Sequence, residues 1–185
     1  MISLETPKLW RLDSPDRSLV LLAQGTSVPR LLWFGQRMPA DLDAQALASA
    51  SAGALAHATV DEVAYASVFP VLADGHAGPP ALRAHRDGRA FGHRPLCQSV
   101  TDFENGLVIT LVDAVVALSI DICIALDEAS GLCTWHTRLT NLGSDALTVD
   151  WVAAASLALP ADFASCEHFS GRWGEELQRR RIAID

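Results

Sequence analysis

The sequence predicts an all-β domain of antiparallel sheets, and three observations carry that prediction. From Val112 to Leu126 every even position is apolar (Val112, Ala114, Val116, Leu118, Ile120, Ile122, Ile124, Leu126), while the odd positions include Asp113, Ser119, Asp121 and Asp127. Period two with one apolar face marks a strand packed on one side and wetted on the other; a helix would wrap the apolar residues around its whole cylinder. Next, Cys133, Trp135, Thr137 and Leu139 alternate with Thr134, His136, Arg138 and Thr140, and Leu147, Val149, Trp151, Ala153, Ala155 and Leu157 alternate with Thr148, Asp150 and Ser156. Finally, turn clusters separate the runs, at Glu128-Ala129-Ser130-Gly131 and at Asn141-Leu142-Gly143-Ser144-Asp145. Consecutive hairpins of this kind build a meander whose apolar face a second sheet must cover.

The elements follow in order. Leu9-Trp10-Arg11-Leu12 and the run from Ser18 to Ala23 read as short strands around the turn cluster Asp13-Ser14-Pro15-Asp16. The segment from Pro29 to Gly35 reads as a third strand, apolar on both faces. Asp41 to Ala50 has the composition of a short helix with an Asp cap. The Ala, Ser and Gly that follow suggest a mobile loop. From Val60 to Arg94 few periodic apolar runs occur, and Asp74-Gly75, Asp87-Gly88 and Pro79-Pro80 punctuate what reads as a long irregular excursion. Leu107, Ile109 and Leu111 put their apolar face on odd positions, so parity flips near Asp113-Ala114. A turn or bulge there divides two strands.

Length and composition narrow the function. A chain of 185 residues, half of them apolar, is read as one domain over 1–185 able to bury a real core. A formal net charge of −8 argues against nucleic acid or an anionic membrane as partner. Two carboxylates in the middle of the longest apolar run argue against a membrane-spanning helix. Cys97, Cys123, Cys133 and Cys166 show no CxxC spacing and read as free thiols; with no signal peptide at Met1-Ile2-Ser3-Leu4-Glu5, a cytoplasmic location is expected.

Few constellations could carry chemistry. The histidines His57, His76, His85, His93, His136 and His168 lack the spacing of a helical metal site, so no metal or cofactor is expected. His85 and His93 flank an Asp-Gly turn and read as a solvated loop pair. Asp121 and Asp150 read as wet faces of strands. No phosphate loop, nucleophile elbow or dinucleotide fingerprint occurs. The tail Phe169-Ser170-Gly171-Arg172-Trp173-Gly174-Glu175-Glu176 differs, because it gathers two aromatics, a guanidinium and carboxylates around two glycines. Aromatic faces stack on the CH face of a sugar, and charged groups hydrogen-bond its hydroxyls. The competing reading is a buried Trp anchoring a loop to the sheets.

Gly171-Arg172-Trp173-Gly174-Glu175-Glu176, following the strand that ends near Pro160, resembles the N-terminal domain of the glycoside hydrolase family 36 α-galactosidases. Trp33-Phe34-Gly35-Gln36-Arg37-Met38 is similar to a segment after that family's third strand, and Thr134 to Asn141 to its strand ending in asparagine. The resemblance implies a β-supersandwich of the galactose-mutarotase-like type, here incomplete, with the short helix near 41–50. It also implies a (β/α)8 catalytic domain missing from these residues, so the chain is read as a fragment without catalytic residues. The implied partners are that barrel, further copies in a homo-oligomer, and α-galactoside sugars reached through the whole enzyme. Trp173, Arg172 and Glu175, with Arg37 and Asp41, are the implied substrate-side residues; the loop around Asp41 and Asp43 is a candidate to reach a neighbouring subunit. The alternatives are a stand-alone mutarotase-like epimerase using His136 and Glu175, and a carbohydrate-binding module.

Overall fold

The structure, a computed structural model, describes residues 6–51, 67–76, 78–157 and 163–184. His57, the loop expected beyond the helix and the end of the expected strand at 158–160 lie outside the described residues. Strands β1 (Lys8–Asp13), β2 (Arg17–Ala23) and β3 (Arg30–Gln36) form an antiparallel three-stranded sheet in the order β1-β2-β3. Helix α1 (Ala44–Ala50) follows, capped by the Asp43 carboxylate, which accepts from the backbone N–H groups of Gln45 and Ala46. The cap is Asp43, within the expected helical stretch.

The larger sheet is a four-stranded meander of β5 (Leu96–Phe103), β6 (Gly106–Asp113), β7 (Leu118–Leu126) and β8 (Cys133–Asn141). Directly opposite residues share a face, and the β6–β7 register pairs Leu107 with Ile124, Ile109 with Ile122 and Leu111 with Ile120. The expected parity flip is a four-residue turn, 114–117, that joins the odd face of β6 to the even face of β7. These side chains, all essentially inaccessible, meet Leu19 and Leu21 of β2 in one core with Phe69, Val71 and Leu82. At about 1.5–3 kcal/mol for each fully buried Leu, Ile or Phe, this shared face is the main term holding the two sheets together. The opposite face of β2 is buried too, with Val20 beside Leu32, Trp33, Met38 and Leu47, so β2 has no polar face.

The excursion contains an element the sequence hid. β4 (Leu82–His85) is only four residues long and pairs with β9 (Thr148–Val152). β9 therefore leaves the meander that consecutive hairpins predicted, and it is shorter than the alternation from Leu147 to Leu157 suggested. Its expected inward face holds only in part: Leu147 and Ala153 pack on the core, but Val149 and Trp151 are exposed, and Val152 of the other parity packs inward. The Trp151 indole N–H donates to the Pro80 carbonyl at 3.1 Å. Asp87-Gly88 is the turn it was read as, with both residues at positive φ (47° and 72°) and Arg86 paired to Arg89 across it. Asp74-Gly75 closes a short 3₁₀ turn, Leu72–Asp74, with Gly75 left-handed. β5, too, was not legible, because Leu96, Ser99, Thr101 and Asp102 break its alternation.

Two expectations about polar residues fail at one place. The alternation puts Asp113 on the wet face, yet it is completely buried at the end of β6, in line with Leu107, Ile109 and Leu111. His93, expected in a solvated loop, is 6% exposed. Its Nδ1 lies 3.1 Å from Asp113 Oδ2, and its Nε2 faces the Ala84 backbone at 3.0 Å from the carbonyl oxygen and 3.2 Å from the nitrogen. Asp113 also accepts from the backbone N–H groups of Arg94 and Val115. His85 instead approaches Asp150 at 3.7 Å, and its ring lies against Phe91. Beside this knot, the Arg86 guanidinium donates to the Val116 carbonyl, the Asn141 side chain and the Asp145 carbonyl, tying the turns after β6 and β8 to the end of β4.

Asp113→Ala removes one acceptor from three donors inside the protein and is expected to cost about 3–5 kcal/mol in urea unfolding. Adding His93→Ala to it is expected to cost less than the sum of the two single losses, and strict additivity would show that the pair is not coupled.

Candidate functional site

The sequence-predicted residues fall into two groups, and no hydrogen bond or ion pair among the described residues joins them. The first is the tip of a hairpin. β10 (Ser165–Arg172) and β11 (Glu175–Ala183) form a two-stranded sheet of their own, and every residue of β11 is exposed. Trp173 and Gly174 make the turn, with Gly174 at φ 82°. Trp173 is 96% exposed, which removes the reading of a buried anchor. Arg172 and Glu175 flank it as a cross-strand ion pair at 2.7 Å. The Glu176 carboxylate accepts from the Gly174 N–H at 2.8 Å; that backbone donor and its own N–H hold its pKa below the ordinary carboxylate value.

Gly171 makes this tip possible. A Cβ there would sit 2.5 Å from the Glu175 carbonyl oxygen and 2.7 Å from the Glu176 Cα, so only hydrogen fits. The ladder shifts register between Ser170 and Arg172, and Leu177 adopts φ 58° on the facing strand. That conformation costs a non-glycine residue about 1 kcal/mol or more, and it leaves Leu177 77% exposed. The glycines at 171 and 174 were visible in the sequence; the strands around them were not, because polar and charged residues fill both faces of β11.

The second group lies at the end of β3. Trp33 folds over Gly35, where a Cβ would meet its ring at 3.1 Å, and its indole N–H donates to the Gln36 carbonyl at 2.9 Å. This places Arg37 beside an open cleft of about 520 Å³ bordered by Pro15, Asp16, Arg17, Gly35 and Gln36. The Arg37 backbone N–H donates to the Asp16 carbonyl at 2.9 Å, and its guanidinium to the Ser14 carbonyl at 3.3 Å. Asp41 is exposed in the loop before α1.

What holds that loop was not foreseen. Arg11 donates from Nε to Asp13 at 2.8 Å and from its terminal nitrogens to the carbonyls of Met38 and Pro39. Ser18 donates to Asp13 at 2.5 Å and accepts from the Met38 N–H at 3.0 Å. A guanidinium has enough donors to bridge a carboxylate and two carbonyls at once, and here it staples residues 38 and 39 to β1 and β2. Partial burial pushes the Asp13 pKa up, but the hydrogen bonds from Arg11 and Ser18 and the charges of Arg11 and Arg37 outweigh it, so the carboxyl titrates below its ordinary value.

The epimerase alternative gains nothing from this geometry. His136 stands opposite Cys123 in the β7–β8 ladder, whereas Glu175 is engaged by Arg172 on the hairpin. Among the described residues no three His, Cys, Asp or Glu side chains are grouped to hold a metal, and no helix is long and apolar enough to cross a membrane. All four cysteines are free; burial raises the pKa of Cys97 and Cys133 and leaves these thiols less reactive.

Stacked antiparallel sheets with an aromatic-tipped hairpin define a β-sandwich domain. Residues 27–185 match the glycosyl hydrolase family 36 N-terminal domain, and the chain belongs to that family. Similar solved structures include the α-galactosidase from Lactobacillus brevis (14% identity, TM-score 0.77, 96% of this chain and 27% of that one). The α-galactosidase AgaA from Geobacillus stearothermophilus in complex with raffinose is 15% identical, with a TM-score of 0.77 over 96% of this chain and 28% of that one. AgaB from the same organism is 15% identical, with a TM-score of 0.73 over 96% and 27%. The chain thus spans little more than a quarter of the length of these structures. A search of curated protein sequences found no match.

Asp13→Asn is expected to lower stability at neutral pH, by about the 1.5–3 kcal/mol of a hydrogen bond to a charged group at most, since a depressed carboxylate pKa stabilises the fold above the unfolded value near 4. That stability is lost as pH falls through the folded pKa, so the difference between native chain and variant should close below about pH 4. A gap that stays constant from neutral to acid pH in urea titrations would remove Arg11 and Ser18 as its cause.

Proposed function

We propose that this chain is a non-catalytic N-terminal domain of an α-galactosidase-like glycoside hydrolase, forming a single domain over 1–185. Its role is to support a (β/α)8 catalytic barrel, to contribute to oligomer assembly and to furnish part of the active-site rim. The observation that carries this reading is the family match over 27–185, together with a fold shared over 96% of the chain with α-galactosidases several times longer. One of those relatives was crystallised with raffinose, so α-galactosides are the sugar class assigned to the whole enzyme.

The rim role falls to Trp173, Arg172 and Glu175 on the hairpin and to Arg37 and Asp41 beside β3. An indole exposed on all sides offers both faces to the CH surface of a galactose ring, and the adjacent ion pair offers a donor and an acceptor at fixed spacing. A cytoplasmic location agrees with four unpaired cysteines.

The exposure of Trp173 also favours a second reading, a carbohydrate-binding module. The two separate by calorimetry and assay. The isolated chain is expected to give no turnover of a nitrophenyl α-galactoside and no saturable heat with galactose or raffinose, because half a rim lacks the barrel's contacts. Saturable heat abolished by Trp173→Ala would establish the binding module instead. Turnover abolished by one point mutation would overturn both.

A further inference from the structure

The surroundings of the buried His93 ring constrain where its protons can sit. The Asp113 side chain faces three nitrogens: Oδ2 takes the Arg94 N–H at 3.2 Å and lies 3.1 Å from His93 Nδ1, and Oδ1 takes the Val115 N–H at 2.8 Å. With its oxygens used as acceptors, Asp113 leaves Nδ1 to be the donor. The other ring nitrogen has a choice. Nε2 lies 3.2 Å from the Ala84 nitrogen and 3.0 Å from the Ala84 carbonyl oxygen. A bare Nε2 can only accept, and it takes the Ala84 N–H. A protonated Nε2 can only donate, and it takes the Ala84 carbonyl. One nitrogen serves one of the two at a time, so the proton count of His93 decides which backbone group of Ala84 it holds.

Ala84 is a consequential place for that choice. β4 is four residues long, and its ladder to β9 is irregular between Arg83 and Ala84. A strand this short has few ladder bonds to oppose a change at one residue. Leu82 and Ala84 bury their side chains in the core, and two residues on Arg86 donates to oxygens of Val116, Asn141 and Asp145. The other charged groups on the surrounding elements are engaged elsewhere or exposed. Arg83 and Arg94 are exposed, as are Asp87 and Arg89 in the turn, and His85 approaches Asp150 of β9 at 3.7 Å. Among the described residues Asp113 is the charged side chain bonded to the His93 ring.

We propose that His93 is a proton-operated latch on β4. Taking up a proton from water at Nε2 releases the Ala84 N–H and grips the Ala84 carbonyl; losing that proton reverses the exchange. Histidine is the residue type whose charge changes near neutral pH, which suits it to such a device. Asp113 holds the ring in place through Nδ1 in both states, so the latch changes partner without letting go of β6. Every group it uses lies inside this domain, and it stands apart from the scaffold role given above.

Nuclear magnetic resonance of the isotope-labelled chain between about pH 5 and 8 tests it at both ends. Nδ1 of His93 is expected to stay protonated throughout, while Nε2 goes from bare to protonated as pH falls. With the same midpoint, the Ala84 amide should lose about fivefold of its protection from hydrogen exchange, after correction for the intrinsic effect of pH, which is the worth of one ordinary hydrogen bond. The amides of β6 and β7 should keep theirs. His85→Ala, which removes the other histidine near this strand, should leave the transition in place; its disappearance in that variant would assign it to His85 and overturn the latch. A ring fixed in one protonation state over the whole range, or one with Nδ1 bare, also overturns it. So does an Ala84 amide indifferent to the ring, or protection lost equally from β4 and β7, as general unfolding would produce.

Discussion

Everything in this domain depends on the apolar face that β6 and β7 share with β2. Leu107, Ile109 and Leu111 lie opposite Ile124, Ile122 and Ile120, and the three pairs close on Leu19 and Leu21 from the other sheet. Branched side chains opposite one another on a pleated face fill that space with little loss of rotamer freedom. The remaining strands are placed by their relation to this face. β1 and β3 flank β2, β5 and β8 flank the β6–β7 pair, and the short β4–β9 ribbon closes over the open side through Leu82 and Ala84.

Polar groups then decide the details that apolar burial leaves free. Dispersion and burial are non-directional, so they cannot select how the chain leaves one strand and enters the next. His93 with Asp113, Arg86 with three oxygens, and Arg11 with Asp13 each sit where strands end and loops begin. Each hydrogen-bonds backbone groups at the end of a strand or in the loop that follows. The Arg11 staple has a consequence for the candidate site, since it fixes the segment that presents Arg37 and Asp41.

The hairpin stands apart from this economy of burial. Its glycines at 171 and 174 and the left-handed Leu177 shape a tight tip, yet none of its residues is buried. Residues placed outward at the cost of backbone strain fit recognition better than packing. The tip and the shaft present different chemistry: an indole with a flanking ion pair at one, a row of arginines on the other.

The sequence by itself determined the class of the fold, the turn at 114–117, the two Asp-Gly turns and the α1 helix, because each depends on neighbours within a few residues. Alternation reports which face is apolar, and a glycine reports a backbone that bends sharply. It determined equally that Gly171-Arg172-Trp173-Gly174 was a special stretch, though not that the stretch was a hairpin tip. Tertiary structure alone decided the partner of β9, the burial of Asp113 and His93, and the exposure of Trp173. The reason is the same in each case: a carboxylate on an apolar strand face, or an indole beside glycines, has one identity in the sequence and two possible surroundings. Only the arrival of a segment from elsewhere in the chain (Asp113 for His93, β4 for β9) selects between them.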